Sequence, residues 1–139
     1  FNIYCVMGDG EIQEGQVWKA AMTAPHHKLD NICAILDRNQ IQENGPVAEI
    51  KNEEPLAEKW RSFGWHVREV DGHSFPDLIS AFDEFDQVKG RPMLILAHTV
   101  KGKGVSFMEG QAKWHGKAPK KEELEKALLE LGFRDKGGI

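Results

Sequence analysis

The chain has 139 residues, 40% hydrophobic and 29% charged, so it has the composition of a globular protein and is long enough for one domain with its own core. A formal net charge of −4 makes it a poor candidate for nucleic-acid binding, which depends on neutralising phosphates. The longest apolar runs, such as residues 93–97, are far too short to cross a membrane.

Short apolar runs alternate along the chain with segments of helical periodicity. The predicted strands are residues 2–7, 31–36, 65–70 and 93–97. The first predicted helix runs from Gln13 and is ended by Pro25 and the two histidines after it; the others cover residues 55–64 and 74–88 and a last segment after residue 121. Polar loops are predicted at 37–52 and 101–121. This alternation predicts a single α/β domain over residues 1–139, with a doubly wound, mostly parallel sheet flanked by helices.

Each predicted helix carries apolar residues at one-face spacing, and we expect these faces to cover the sheet. In chain order the faces are Val17, Ala20, Ala21 and Ala24; Leu56, Ala57, Trp60 and Phe63; Phe75, Leu78, Ile79, Phe82 and Phe85; and Leu124, Ala127, Leu128 and Leu131. Cys5 and Cys33 lie in strand-like runs, which predicts buried, reduced thiols in a cytoplasmic protein. The chain starts at Phe1 inside a predicted strand, which favours a fragment or a processed chain.

The turn Gly8-Asp9-Gly10 follows the first predicted strand, at the sheet edge where ligands of parallel sheets bind. Glycines there let a phosphate approach the backbone and the helix N-terminus, although a simple connecting turn has the same pattern. Asp9 is the informative residue, because its carboxylate repels a diphosphate unless a divalent cation lies between them. Asp9 therefore favours a metal-bridged diphosphate.

A second polar turn, residues 37–41, follows the neighbouring strand and belongs to the same sheet edge. Mg²⁺ takes six oxygen ligands, of which the protein usually supplies a few. The Asp9 carboxylate, the Asn39 side-chain oxygen and a backbone carbonyl near Ile41 would form such a share. An Asx turn at the strand end is the open alternative.

These motifs resemble those of a known enzyme family. Gly8-Asp9-Gly10-Glu11, Glu14-Gly15 and Asp37-Arg38-Asn39 are similar to the thiamine diphosphate motif, which opens on Gly-Asp-Gly and closes on an Asn. Further similar segments lie at residues 71–73, 98–104 and 114–119. Nearly the whole chain thus resembles the transketolase family, in particular its bacterial split forms.

The resemblance implies a set of site residues. Asp9, Asn39 and the main-chain oxygen of Ile41 would hold Mg²⁺ or Ca²⁺. The predicted contacts to thiamine diphosphate are Gly8, Asp9, Gly10, Asn39 and His115. His115 would also reach the reacting substrate, and it is predicted as catalytic together with Glu14.

Glu14 matches a family glutamate in an acidic network that connects two active sites across a dimer. The family commonly carries a second glutamate five residues later, where this chain has Lys19. The departure affects proton communication between the sites and leaves the predicted metal ligands unchanged.

The resemblance predicts an N-terminal subunit or fragment of a transketolase, which transfers a two-carbon ketol unit between sugar phosphates. Its expected partner is a C-terminal subunit with the pyrimidine-binding domain, in a homo-oligomer or heterotetramer. One alternative is a dinucleotide-binding module using Gly8, Gly10 and Asp37, although Ile12 and Gln13 stand where its third glycine belongs. A non-catalytic assembly subunit of the same fold is the other.

Overall fold

In the computed structural model, which describes residues 1–133, a parallel sheet forms the centre of the molecule. The strands are β1 (Ile3–Gly8), β2 (Ile32–Arg38), β3 (Ile41–Gln42), β4 (Gly45–Pro46), β5 (His66–Asp71) and β6 (Met93–His98). The helices are α1 (Gly15–His26), α2 (Val47–Ile50), α3 (Leu56–Ser62), α4 (Phe75–Gln87) and α5 (Lys121–Glu130), with 3₁₀ turns at Glu11–Gln13 and Ala112–Trp114. Residues 134–139 of the predicted domain lie outside the described part.

Four of the strands pair in parallel in the order β1-β2-β6-β5. The register aligns their carboxyl ends, because Gly8 lies opposite Asp37 and Arg38 opposite His98. Turns that follow different strands therefore meet at one edge of the sheet, which the position of the predicted site requires.

Helices cover both faces of this sheet. One core cluster, under α1 and α3, consists of Met7, Ile12, Ala21, Ala24, Ala34, Leu36, Leu56, Trp60, Trp65, Leu94 and Leu96. The other, under α4, consists of Cys33, Val70, Ala81, Phe85, Val88, Met93, Ile95 and Ala97. The predicted α/β fold class is confirmed.

The prediction that both cysteines are buried is wrong for Cys5. Cys33 is buried in β2, and burial raises the pKa of its thiol to about 12. Cys5 is exposed, as are Ile3, Tyr4 and Val6 of the same strand. The reason is that β1 is an edge strand of the described sheet and has a strand neighbour on one side only.

The first helix ends at His26, within the segment of Pro25 and two histidines that was predicted to end it, and Pro25 itself lies inside the last turn of α1. A proline has no N–H to donate to the carbonyl four residues earlier, here that of Ala21. The Trp65 indole N–H donates to that carbonyl instead, at 2.7 Å, so the buried oxygen is paired. The predicted face is otherwise kept, with Ala21 and Ala24 buried and Ala20 exposed.

The two later helices bury less than their apolar patterns predict. In α4, Ala81 and Phe85 are buried, whereas Phe75 and Ile79 are exposed. In α5 only Ala127 of the predicted face is buried; the exposed members are Leu124, Leu128 and Leu131. The helix α5 is bonded to the loop before it, because Glu130 accepts hydrogen bonds from Ser106.

The predicted polar loop at residues 37–52 contains regular structure. Strands β3 and β4 pair as a short antiparallel hairpin, and α2 follows directly. The Val47 N–H donates to the Gln40 carbonyl at 3.0 Å, which closes this segment over the end of β2. Two-residue strands are too short to leave a periodic pattern in the sequence.

No helix within residues 1–133 is long and apolar enough to cross a membrane.

Candidate functional site

A cleft of about 470 Å³ lies at the carboxyl edge of the sheet. Its lining includes six predicted site residues: Gly8, Asp9, Gly10, Asn39, Ile41 and His115. The turn after β1, the turn after β2 and the loop after β6 each contribute to it. Residues far apart in the sequence thus line one cavity.

Asp9 lies at the floor of this cleft and is 2% exposed. Its Oδ1 accepts a hydrogen bond from Arg38 Nη1 at 2.5 Å, and its Oδ2 accepts one from the Gln40 backbone N–H at 2.6 Å. Both bonds come from the end of β2 and the turn that follows it. They tie the two turns of the predicted motif to each other.

Asn39 is half-buried and its side chain forms an Asx turn. Its Oδ1 accepts from the Ile41 N–H at 3.0 Å, and its Nδ2 is 3.4 Å from Asp37 Oδ2. Thr99 donates its hydroxyl proton to the other oxygen of Asp37. The Asx-turn alternative is therefore present, and it leaves Asn39 and Ile41 on the cleft lining. The Asx turn uses one acceptor site of Asn39 Oδ1, because a carbonyl oxygen has two lone pairs.

The loop after β6 brings positive charge to the cleft. Lys101 and His115 both line it, together with the turn at Gly8. The Gly110 N–H donates to the Lys101 carbonyl at 2.9 Å, which closes the loop behind this lysine. His115 follows the 3₁₀ turn whose Trp114 indole N–H donates to the Phe107 carbonyl at 3.0 Å.

Glu14 is the predicted site residue that the structure places elsewhere. It is exposed, it occupies the N-cap position of α1, and it is not on the lining of the cleft. Lys19 is exposed farther along the same helix. The predicted acidic network is between chains, so this chain by itself leaves it a prediction.

Several lining and supporting residues were missed by sequence reasoning. Lys101 lines the cleft but is not among the predicted site residues, although its place after the last apolar strand is a signal in the sequence. Arg38, Glu53 and Glu54 are not among the predicted site residues. Within residues 1–133 these three form a charge cluster with Asp9 in which Glu54 is exposed and the other members are buried, and the sequence has no local signal for it.

The donor set fits a divalent cation together with a diphosphate. Among residues 1–133, no group of three or more His, Cys, Asp or Glu residues is arranged to hold a metal ion. The cleft also offers the Asn39 amide oxygen and backbone oxygens as donors. The cleft lining carries four carboxylates, from Asp9, Glu11, Asp37 and Glu43. On the positive side it has Lys101, and His115 only when its imidazole is protonated. A diphosphate meets excess negative charge in this cleft unless a cation enters with it. A Cβ on Gly8 would meet no atom within 4 Å, so the surface beside the turn is open.

Comparison with known proteins identifies the family. Residues 1–137 match the family described as transketolase, thiamine diphosphate binding domain. One subunit of the apulose-4-phosphate transketolase of Phocaeicola vulgatus is 43% identical over 134 residues, which are 96% of this chain and 48% of that protein. The 6-deoxy-6-sulfo-D-fructose transketolase subunit SqwG of Clostridium sp. is 44% identical over 130 residues, covering 94% of this chain and 47% of that protein.

The chain spans about half the length of these two curated relatives. Among solved structures, the transketolase of Campylobacter jejuni has a TM-score of 0.88 to this chain at 34% identity, covering 95% of this chain and 21% of that chain. These matches favour the thiamine diphosphate interpretation of the Gly-Asp-Gly turn over the dinucleotide-binding alternative. The chain belongs to the transketolase family, to its thiamine diphosphate-binding domain.

Proposed function

We propose that this chain supplies the diphosphate- and metal-binding part of a thiamine diphosphate site in a cytoplasmic transketolase. The observation that carries the proposal is the cleft at the carboxyl edge, where Asp9, Asn39, Ile41 and His115 line one cavity. The complete enzyme would transfer a two-carbon ketol unit between sugar phosphates. The C-terminal subunit with the pyrimidine-binding domain would complete the site, in a homo-oligomer or heterotetramer.

In this proposal the cation is Mg²⁺ or Ca²⁺, held by Asp9, Asn39 and the backbone oxygen of Ile41. These are hard oxygen donors, which both ions prefer. The turn at Gly8 and Gly10 would present its backbone to the diphosphate, with Asn39 beside it. The hydrogen bond from the Gln40 N–H to Asp9 already joins the two turns that carry these donors.

His115 and Lys101 would act on the anionic part of the site. Both line the cleft, where a cationic side chain attracts a phosphate oxygen. His115 can also donate a proton to, or accept one from, a substrate oxygen that reaches the cleft. Glu14 would contribute through the network between subunits rather than by contact with the cofactor.

Thiamine diphosphate, when bound, supplies the carbanion-stabilising chemistry of the transfer. The residues of this chain would bind its diphosphate and orient it, and the cation they hold would neutralise its charge. The two relatives are named for different ketoses, one phosphorylated and one sulfonated. Both names describe an anionic sugar, and we propose an anionic ketose, with sugar phosphates tested first, as the donor here.

The test is a titration of the complete protein, purified with its co-purifying subunit, with thiamine diphosphate. Tryptophan fluorescence reports binding, first with Mg²⁺ and then with a chelator. Saturable binding that the chelator abolishes is expected. Asn39→Ala should weaken it about 10-fold or more, the scale seen when a metal site loses a supporting group.

Asn44→Ala is the matched control, because Asn44 lines the same cleft but is outside the proposed ligand set. Its affinity should stay near that of the wild type. Binding that ignores the chelator, or equal losses in Asn39→Ala and Asn44→Ala, would contradict the metal assignment. No binding in the complete protein would refute the proposed function itself.

A further inference from the structure

A buried arginine connects Asp9 to an acidic segment that precedes α3. Arg38 ends β2 and is 6% exposed. Its Nη1 is 2.5 Å from Asp9 Oδ1, and its Nη2 is 2.8 Å from Glu54 Oε1. One guanidinium therefore holds two carboxylates from different parts of the chain, in the forked geometry that arginine provides and lysine does not.

The cluster around this arginine has more negative than positive charge. Glu53 Oε2 lies 3.7 Å from Arg38 Nη1, so three carboxylates surround one guanidinium, a net charge of −2 when all are ionised. Glu53 is 4% exposed, and its Oε2 has no hydrogen-bond partner among the described residues. Buried, incompletely paired charge is unfavourable, so a divalent cation beside Asp9 would stabilise the whole cluster.

Arg38 does not use every acceptor site of the Asp9 carboxylate. Each oxygen of the Asp9 carboxylate accepts one hydrogen bond, from Arg38 or from the Gln40 N–H. A carboxylate offers about four lone-pair sites, so two remain. Arg38 lines the neighbouring cleft together with Asn52 and Glu54, and thus approaches Asp9 from the side of that cleft.

We propose that Arg38 is a positioning residue for the divalent cation. Its guanidinium holds the Asp9 carboxylate in the orientation that a metal ligand needs, and Glu54 anchors the guanidinium. Groups that orient a metal ligand in this way set metal affinity as well as the ligands' geometry. The inference rests on the proposed function, in which Asp9 is a ligand.

The experiment measures Mn²⁺ binding to the complete protein and its co-purifying subunit, in the presence of thiamine diphosphate. The EPR signal of free Mn²⁺ gives the dissociation constant, since Mn²⁺ takes the same oxygen ligands as Mg²⁺. Arg38→Met should raise that constant by about 10- to 100-fold. The dissociation constant of Arg38→Lys should lie between those of the wild type and Arg38→Met, because lysine keeps the positive charge and loses the forked pair of guanidinium donors.

Arg61→Met is the matched control. Arg61 is also paired with a carboxylate, that of Glu69 at 3.0 Å, but it lies on α3 and its side chain is half exposed. It should bind Mn²⁺ as the wild type does. Saturating Mn²⁺ should restore the thiamine diphosphate affinity of Arg38→Met to the wild-type value. A purely structural defect would not be restored by metal, and that result would overturn the proposal.

A second variant covers a failure of Arg38→Met to fold. Glu54→Ala removes the anchor from a side chain that is 55% exposed, and it should raise the Mn²⁺ dissociation constant several-fold, with Tm reporting the fold. If Glu54→Ala and the folded Arg38 variants bind Mn²⁺ with the dissociation constant of the wild type, the positioning role of Arg38 is overturned and the proposed function is not. No metal-dependent binding in the wild type would overturn the proposed function as well.

Discussion

Replacing Asp9 should lower the stability of the protein even without any metal. Its side chain is fully buried and accepts two short hydrogen bonds, one from a guanidinium. Removing one partner of a buried ion pair typically costs about 3–5 kcal/mol, because the other charge is left uncompensated. Arg38 here keeps Glu54 at 2.8 Å and Glu53 at 3.7 Å. We therefore expect about 2–3 kcal/mol for Asp9→Ala, between the cost of a charged hydrogen bond and that of an unpaired charge.

Asp9→Asn should lose about 1 kcal/mol less, since its amide oxygen still accepts one of the two bonds. The assay is urea denaturation in chelator, without thiamine diphosphate. With a slope of about 1.5 kcal/mol/M, the Asp9→Ala midpoint would move down by roughly 1.3–2 M. Glu69→Ala is the control: Glu69 accepts from Arg61 at 3.0 Å on the surface, where such pairs contribute about 0.2–1 kcal/mol. Equal losses in Asp9→Ala and Glu69→Ala would refute the reasoning.

Three further results are expected. In urea denaturation, Gly102→Ala should be more destabilising than Gly90→Ala by about 1 kcal/mol or more. Both glycines have positive φ, but only a Cβ at residue 102 would overlap backbone, at 2.7 Å from the carbonyl of Met108. Equal losses of stability in the two variants would contradict this clash. Cys33 should react with Ellman's reagent at pH 8 only when the protein unfolds, since burial raises the pKa of its thiol to about 12. A fast reaction of the native protein that disappears in Cys33→Ser would contradict this expectation. Burial also raises the pKa of Glu53, so the folded state holds this proton more tightly than the unfolded state does. The free energy of unfolding should therefore fall as pH rises from the ordinary glutamate range through the raised pKa. Glu53→Gln should flatten that part of the curve of unfolding free energy against pH, measured in urea, and an unchanged curve would exclude Glu53 as the cause of the fall.

The sheet and the site position could be predicted because they depend on patterns local in sequence. Four apolar runs alternate with helical periods, and parallel pairing then places the turn at Gly8 beside the turn at Asp37. Asn39 and Ile41 follow from that register. His115 could be assigned to the site only because its segment resembles the transketolase family. The loop after the last strand has no periodicity from which its path could be predicted.

Other features depend on contacts between distant residues and could not be predicted. Trp65, forty residues on in the chain from Pro25, pairs the Ala21 carbonyl that the proline leaves free, and nothing in the sequence around the helix indicates this contact. The exposure of Cys5 depends on which strand lies at the edge of the sheet, and strand order is not a local property. The exposed face of α5 likewise follows from its packing on a loop.

The contacts of Asp9 determine which variant is informative about function. Its carboxylate stabilises the fold through Arg38 and is also a proposed metal ligand, so lost cofactor binding in Asp9→Ala has two possible causes. Asn39 is different, because its side-chain bonds, to the Ile41 N–H and to Asp37, are local and partly exposed. Breaking them should cost about 1 kcal/mol, too little to unfold a typical domain. A loss of metal-dependent binding in Asn39→Ala, with stability largely retained, would therefore report on the cation, whereas a similar loss in Asp9→Ala would be a joint effect of fold and ligand.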